Sequence, residues 1–160
     1  MMAMTDKPGE EDRLLFNRYM LGFDSKNRAD SEKYRCYVIL MGTIRELLDE
    51  CRINIGSYGY MYIQDSVIAI IDQRSMNINF KKEVYPYVAY KNGVRNPDNI
   101  EHSIRNALVA AYKVNLSDIY HSSVIMNAFG KCPTNKEFLL YITREVYRRL
   151  WDESVEFARF

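Results

Sequence analysis

Wound at 3.6 residues per turn, the segment 97–113 brings Asn99, His102, Asn106 and Lys113 onto one side, with Arg105 at its edge and Val109 among them. Those polar types read bases and hold phosphates. An Asn amide pairs in bidentate fashion with adenine, an Arg guanidinium with guanine, and a Lys ammonium holds the phosphate backbone. Ile100, Ile104, Ala107, Leu108 and Ala111 fall on the other side and make a packing face of ordinary width. An exposed face of any amphipathic surface helix has the same look, so the pattern alone leaves two readings open.

Catalysis is the weaker hypothesis. His102 and His121 are the two histidines, and neither has a carboxylate or second histidine at metal-ligand spacing on a shared helix face. Glu101-His102 is not the H-E-x-x-H of a zinc protease, and the chain has no Walker-type phosphate loop and no G-x-G-x-x-G. No metal and no cofactor are expected. Cys36, Cys51 and Cys132 are odd in number with no C-x-x-C pair, which predicts reduced, structural thiols and no zinc knuckle. Gly56-Ser57-Tyr58-Gly59 has the G-x-x-G spelling of KH domains but lacks the basic residues such a loop uses on phosphates.

Helices must position the polar stripe. Asn96-Pro97 is the strongest start signal in the chain: Asn caps free amides, Pro suits the first helical turn, and Asp98 sits favourably at the positive end of the dipole. The resulting helix runs from Pro97 to about Lys113. Before it, Pro86 opens a short helix ending near Lys91, and Asn92-Gly93-Val94-Arg95 makes a tight turn with Gly93 at positive φ. Two helices joined by a short Gly-containing turn have the form of a helix-turn-helix.

Further helices are read from the apolar spacing of Cys36 to Leu48, of Tyr60 to Ile71 with Gly59 as its entry, and of Phe138 to Leu150 behind the capping box Thr134-Asn135-Lys136-Glu137. A weaker short helix is expected near Ser117–Val124. Leu14, Leu15, Phe16, Tyr19, Met20 and Phe23 make an apolar stripe, followed by a polar linker over Asp24–Lys33. The fold class is all-α, a bundle of roughly six helices. The expected organisation is an amino-terminal extension over 1–33, a helical domain over 34–153 and a tail over 154–160.

Of the 160 residues, 48% are hydrophobic, enough for a single domain with a sizeable core and no need of disulfides or metal. Apolar runs such as Cys36–Met41 and Val67–Ile71 fall far short of the ~20 residues of a membrane span. No secretory leader is visible, so a cytoplasmic location is expected. The net charge of +1 excludes a polycation that coats nucleic acid by bulk electrostatics. It conceals an uneven distribution, because residues 81–113 hold six Lys or Arg against three Asp or Glu, whereas residues 1–50 hold eight against ten.

Four strings carry a more specific resemblance. Gly59-Tyr60-Met61-Tyr62-Ile63, Val84-Tyr85-Pro86-Tyr87-Val88-Ala89, Ile100-Glu101-His102-Ser103-Ile104-Arg105-Asn106-Ala107 and Pro133-Thr134-Asn135-Lys136-Glu137-Phe138 occur in the order of similar strings in one family. Over Leu47 to Arg149 the chain resembles the carboxy-terminal DNA-binding effector domain of the sporulation response regulators of Firmicutes. The resemblance implies a helical, winged-helix-like effector fold. Its recognition helix begins at Pro97, with Asn99, Glu101, His102, Arg105 and Asn106 at the base-reading positions and Lys91, Arg95, Asn96 and Lys113 toward phosphates.

It further implies double-stranded DNA as partner, head-to-tail self-association on DNA, and RNA polymerase as a contact of a transcription regulator. The family has Arg, Arg and His where Asn99, His102 and Asn106 stand, so a different target sequence is expected. The family's receiver domain is not expected here, since about 33 residues precede the matching region's first helix. The alternative is an interaction module of the same fold, dimerising through its last helix or the Leu14–Phe23 stripe.

Overall fold

The computed structural model describes residues 30–73, 77–118 and 123–150. The Leu14–Phe23 stripe, His121, the side chain of Cys36 and the tail beyond Leu150 lie outside them. Among the described residues there are six α-helices and no strand: α1 (Asp30–Glu50), α2 (Tyr58–Gln73), α3 (Tyr85–Lys91), α4 (Pro97–Ser117), α5 (Val124–Ala128) and α6 (Asn135–Leu150). The all-α architecture expected from the apolar spacing is what the chain adopts.

α2 is the central element. It is apolar on nearly every side, and apart from Met61 every residue from Gly59 to Ile71 is buried. A helix hydrophobic all round must be enclosed by others, and α1, α3, α4 and α6 all pack on it, α4 most extensively. Leu40, Ile44, Leu47 and Leu48 of α1 and Phe138, Leu139, Ile142, Val146 and Leu150 of α6 close the core on the other sides.

The α2–α4 crossing depends on Gly59. A Cβ at this position would stand 2.5 Å from the Ala107 Cβ and 2.5 Å from the Ser103 carbonyl oxygen. The expected role of Gly59 as helix entry is therefore corrected: Ser57 caps α2, its hydroxyl accepting from the Tyr60 amide at 3.2 Å, and Gly59 lies inside the first turn as the point of closest approach. A buried Gly59 under α4 is also no phosphate clamp, so the G-x-x-G string is structural.

Other boundaries differ from expectation. Residues 30–33, assigned to a polar linker, belong to α1. Four further residues extend α4 to Ser117, and the short helix lies at Val124–Ala128, capped by the Ser123 hydroxyl on the Met126 amide. A π-helix over Phe80–Val84, unanticipated, leads directly into α3; the Asn79 side chain accepts from the Lys82 amide, and the Glu83 carboxylate returns to accept from the Asn79 amide.

Asn115 fastens the far end of α4. Its buried amide donates to the carbonyls of Cys51 at 3.1 Å and Ala111 at 2.8 Å, and its oxygen accepts from the Ser123 amide, so one side chain ties the α1–α2 loop and the start of α5 to α4. Cys51, beside it, is a free thiol pushed up to about 12, mainly by burial, with the Ser123 hydrogen bond acting in the opposite sense.

Three stability outcomes follow, each read by urea denaturation. Gly59→Ala gains ~1 kcal/mol of helix propensity but forces a Cβ against a backbone carbonyl, an overpacking cost of roughly 1–3 kcal/mol, so it destabilises. Gly42→Ala in α1, where a Cβ meets nothing within 4 Å, is the control and stabilises. Asn115→Ala orphans the Cys51 carbonyl and the Ser123 amide and costs roughly 1–3 kcal/mol for each group left unpaired.

Candidate nucleic-acid interface

α3, the turn and α4 form one unit locked by local chemistry. Gly93 takes φ 67°, the Val94 amide reaches back to the Ala89 carbonyl at 2.8 Å, and the Gly93 amide reaches the Tyr90 carbonyl at 3.3 Å. This pair of bonds is a Schellman motif, and it satisfies the last carbonyls of α3. Asn96 then starts α4, its side-chain oxygen accepting from the Asp98 amide at 3.0 Å with Pro97 in the first turn.

A buried acid fixes the end of α3 to the core. Asp65 of α2 accepts from the Lys91 ammonium at 3.0 Å on one carboxylate oxygen and from the Asn92 amide at 3.0 Å on the other. Asn92 also donates to the Val88 carbonyl at 2.8 Å. The Asp65 side chain is 6% exposed and that of Lys91 37%. Burial acts to depress the Lys91 ammonium, yet the hydrogen bond and charge of Asp65 outweigh it and leave its pKa above the ordinary lysine value. Lys91, expected at a phosphate, is thus held as the partner of a buried carboxylate.

The α4 surface divides into three strips. Ile100, Ile104, Ala107, Leu108 and Ala111 are buried as expected. Asn99, His102, Asn106, Ala110 and Lys113 are exposed and align along the side turned from the core, with His102 diametrically opposite it. Glu101 and Arg105 lie on a flank, half-buried. Arg105 is drawn off the stripe: its guanidinium donates to the Pro133 carbonyl at 2.6 Å and approaches the Cys132 sulfur at 3.5 Å. The Glu101 carbonyl accepts from the Asn135 side chain at 3.0 Å. These contacts bind α4 to the loop ahead of α6, where the Thr134 hydroxyl accepts from the Glu137 amide at 3.1 Å and donates to its carboxylate at 3.0 Å.

Arg95 and Asn96 are exposed at the amino end of α4, where free backbone amides and the helix dipole favour an anion. Lys131, exposed on the loop that Arg105 and the Tyr112 hydroxyl anchor, was not anticipated. Nor was Asp65, although a lone acid within Tyr62-Ile63-Gln64-Asp65-Ser66-Val67-Ile68 is a sequence anomaly that flags a buried partner. Among the described residues no three His, Cys, Asp or Glu side chains gather where they could hold a metal ion, and no helix is long and apolar enough to cross a membrane.

The family model for the sporulation initiation factor Spo0A C terminal matches residues 44–146, well over half of the chain. The chain belongs to that family. Its members' domain is an all-helical DNA-binding effector, and the matched span runs from within α1 to within α6, so it includes every candidate contact named above. The Spo0A C-terminal family thus supplies the class of partner, and the exposed strip of α4 supplies the residues available to meet it.

The Asp65–Lys91 pair is testable by itself. Lys91→Met leaves Asp65 with Asn92 alone and lowers stability by about 1–2 kcal/mol at neutral pH. Because the folded Lys91 value is raised, this contribution is present in full below the ordinary lysine pKa of 10.5 and fades as pH climbs through the raised value. Urea midpoints of the two proteins therefore converge in strongly alkaline buffer.

Proposed function

We propose that the chain is a sequence-specific, cytoplasmic transcription regulator that lays α4 in the major groove of double-stranded DNA and belongs to no enzyme class. The observation that carries this reading is the exposed strip Asn99–His102–Asn106–Lys113 on a helix of 21 residues whose opposite face is wholly buried. In helix-turn-helix proteins the second helix offers the residues of its amino-terminal half to base edges, and Asn99, His102 and Asn106 lie in that half. Arg95, Asn96, Lys113 and Lys131 take phosphates around the strip, while Lys91 and Arg105 act as positioning residues that hold α3 and the α6 loop against α4. Glu101 stands at the flank of the strip, within reach of a cytosine amino group.

A second reading concerns association between copies. Ile55 and Tyr58 are 71% and 73% exposed at the amino end of α2, and Leu116 and Val124 are exposed at the same end of the domain, where Asn115 ties the loop after α1 and the start of α5 to α4. Apolar side chains left in water at this end suit a contact between copies on adjacent DNA sites, the arrangement under which RNA polymerase would meet the assembled regulator.

Binding to a random duplex pool, followed as a function of salt, tests the main reading. Arg95→Ala and Lys113→Ala are each expected to flatten the log–log salt dependence by about one unit, whereas Lys91→Met leaves it unchanged and acts on stability. Binding that is absent at low salt, or that neither exposed cation influences, sinks the proposal.

A further inference from the structure

Taking the DNA-reading role of α4 proposed above as its basis, we infer that the chain selects adenine rather than guanine, at two positions about three base pairs apart, through Asn99 and Asn106. Guanine is read in the major groove chiefly by an Arg or Lys fork on O6 and N7, and adenine by an Asn or Gln amide on N6 and N7. The α4 strip carries one guanidinium, that of Arg105, and it is spent inward on the Pro133 carbonyl at 2.6 Å and the Cys132 sulfur. Turning it to a base would leave the carbonyl of a buried Pro133 with only the weak Cys132 thiol at 3.8 Å and loosen the loop that precedes α6.

What faces outward is amide, imidazole and methyl. Asn99 and Asn106 are exposed, and neither side chain caps or bridges any element; between them stands His102, and beyond them Ala110, whose methyl suits a thymine C5-methyl. Seven residues separate the two amides, so along the helix axis they stand ~10.5 Å apart at ~1.5 Å per residue. At ~3.4 Å per base along one strand this spans about three steps. Both amides fall within one strip, and a helix lying along the groove presents them to the same run of bases. Lys113, a further ten ångströms or so on, reaches past that run to the backbone.

Selection of bound sequences from a randomised duplex library, with the full chain and with Asn99→Ala, Asn106→Ala, Asn106→Arg and Arg105→Ala, tests the inference. The native chain is expected to enrich adenine at two positions about three base pairs apart. Each Asn→Ala change relaxes one of those positions alone, losing roughly 5- to 100-fold discrimination there, and Asn106→Arg turns its position toward guanine. Both asparagines are exposed, and unchanged circular dichroism verifies that the variants fold. Arg105→Ala lowers the urea midpoint without altering which bases are chosen. A consensus with guanine at these positions, or one that Arg105→Ala or an added Arg95→Ala abolishes while the Asn changes leave it intact, overturns the base assignment and leaves DNA binding standing. Loss of all salt-dependent duplex binding in the native chain overturns both.

Discussion

The close crossing of α2 and α4 at Gly59 governs the placement of everything else in the domain. Side chains normally hold packed helices ~8–10 Å apart; here a missing Cβ lets the backbone of α2 come against Ser103 and Ala107 in the middle of α4. Those two residues are the immediate chain neighbours of His102 and Asn106. The outward angle of the exposed strip is therefore set from behind, by a contact in the core. Any enlargement at Gly59 pushes on a carbonyl that has no rotamer to yield, and the displacement is transmitted to the strip.

Polar anchors then convert a placed helix into a held one. Asp65 grips the end of α3 through Lys91 and Asn92, Arg105 grips the loop before α6, and Asn115 grips the loop after α1 and the start of α5. Each joins α4 or its preceding turn to a segment distant in the chain, and each uses a charged or fully satisfied buried group whose loss is costly. Binding to a duplex lays down orientation-dependent hydrogen bonds, and a helix already fixed in direction loses less entropy in making them.

The local half of this organisation was legible in the sequence. Asn96-Pro97, Gly93 and Thr134-x-x-Glu137 are signals whose chemistry closes within four or five residues, and all three behave as read. So did the buried face of α4, because periodicity needs only the helix itself. Gly59 was visible as a glycine at a helix start but not as a crossing point, since its reason lies on a helix more than forty residues away. The intramolecular partners of Lys91 and Arg105 were hidden for the same cause: a cation on a wheel shows no partner until one 26 or 28 residues distant is placed beside it. The wheel separated buried from exposed, and tertiary pairing separated exposed from spent.

That distinction bears on how a chain of net charge +1 holds a polyanion at all. Near α4, Lys91 is paired with Asp65 and Arg105 with the Pro133 carbonyl, and the exposed cations proposed for phosphates are Arg95, Lys113 and Lys131. Three phosphates neutralised correspond to a salt slope of only about −3, far below that of large repressors. Electrostatics of that size gives weak, easily screened association by one copy, and the base-edge contacts and the contact between copies proposed above would supply the remaining occupancy. Both remedies favour a regulator that is selective over one that is merely adhesive. On the proposed reading, a sparse positive charge penalises non-specific DNA more than the target, because the target alone adds the amide contacts proposed for Asn99 and Asn106.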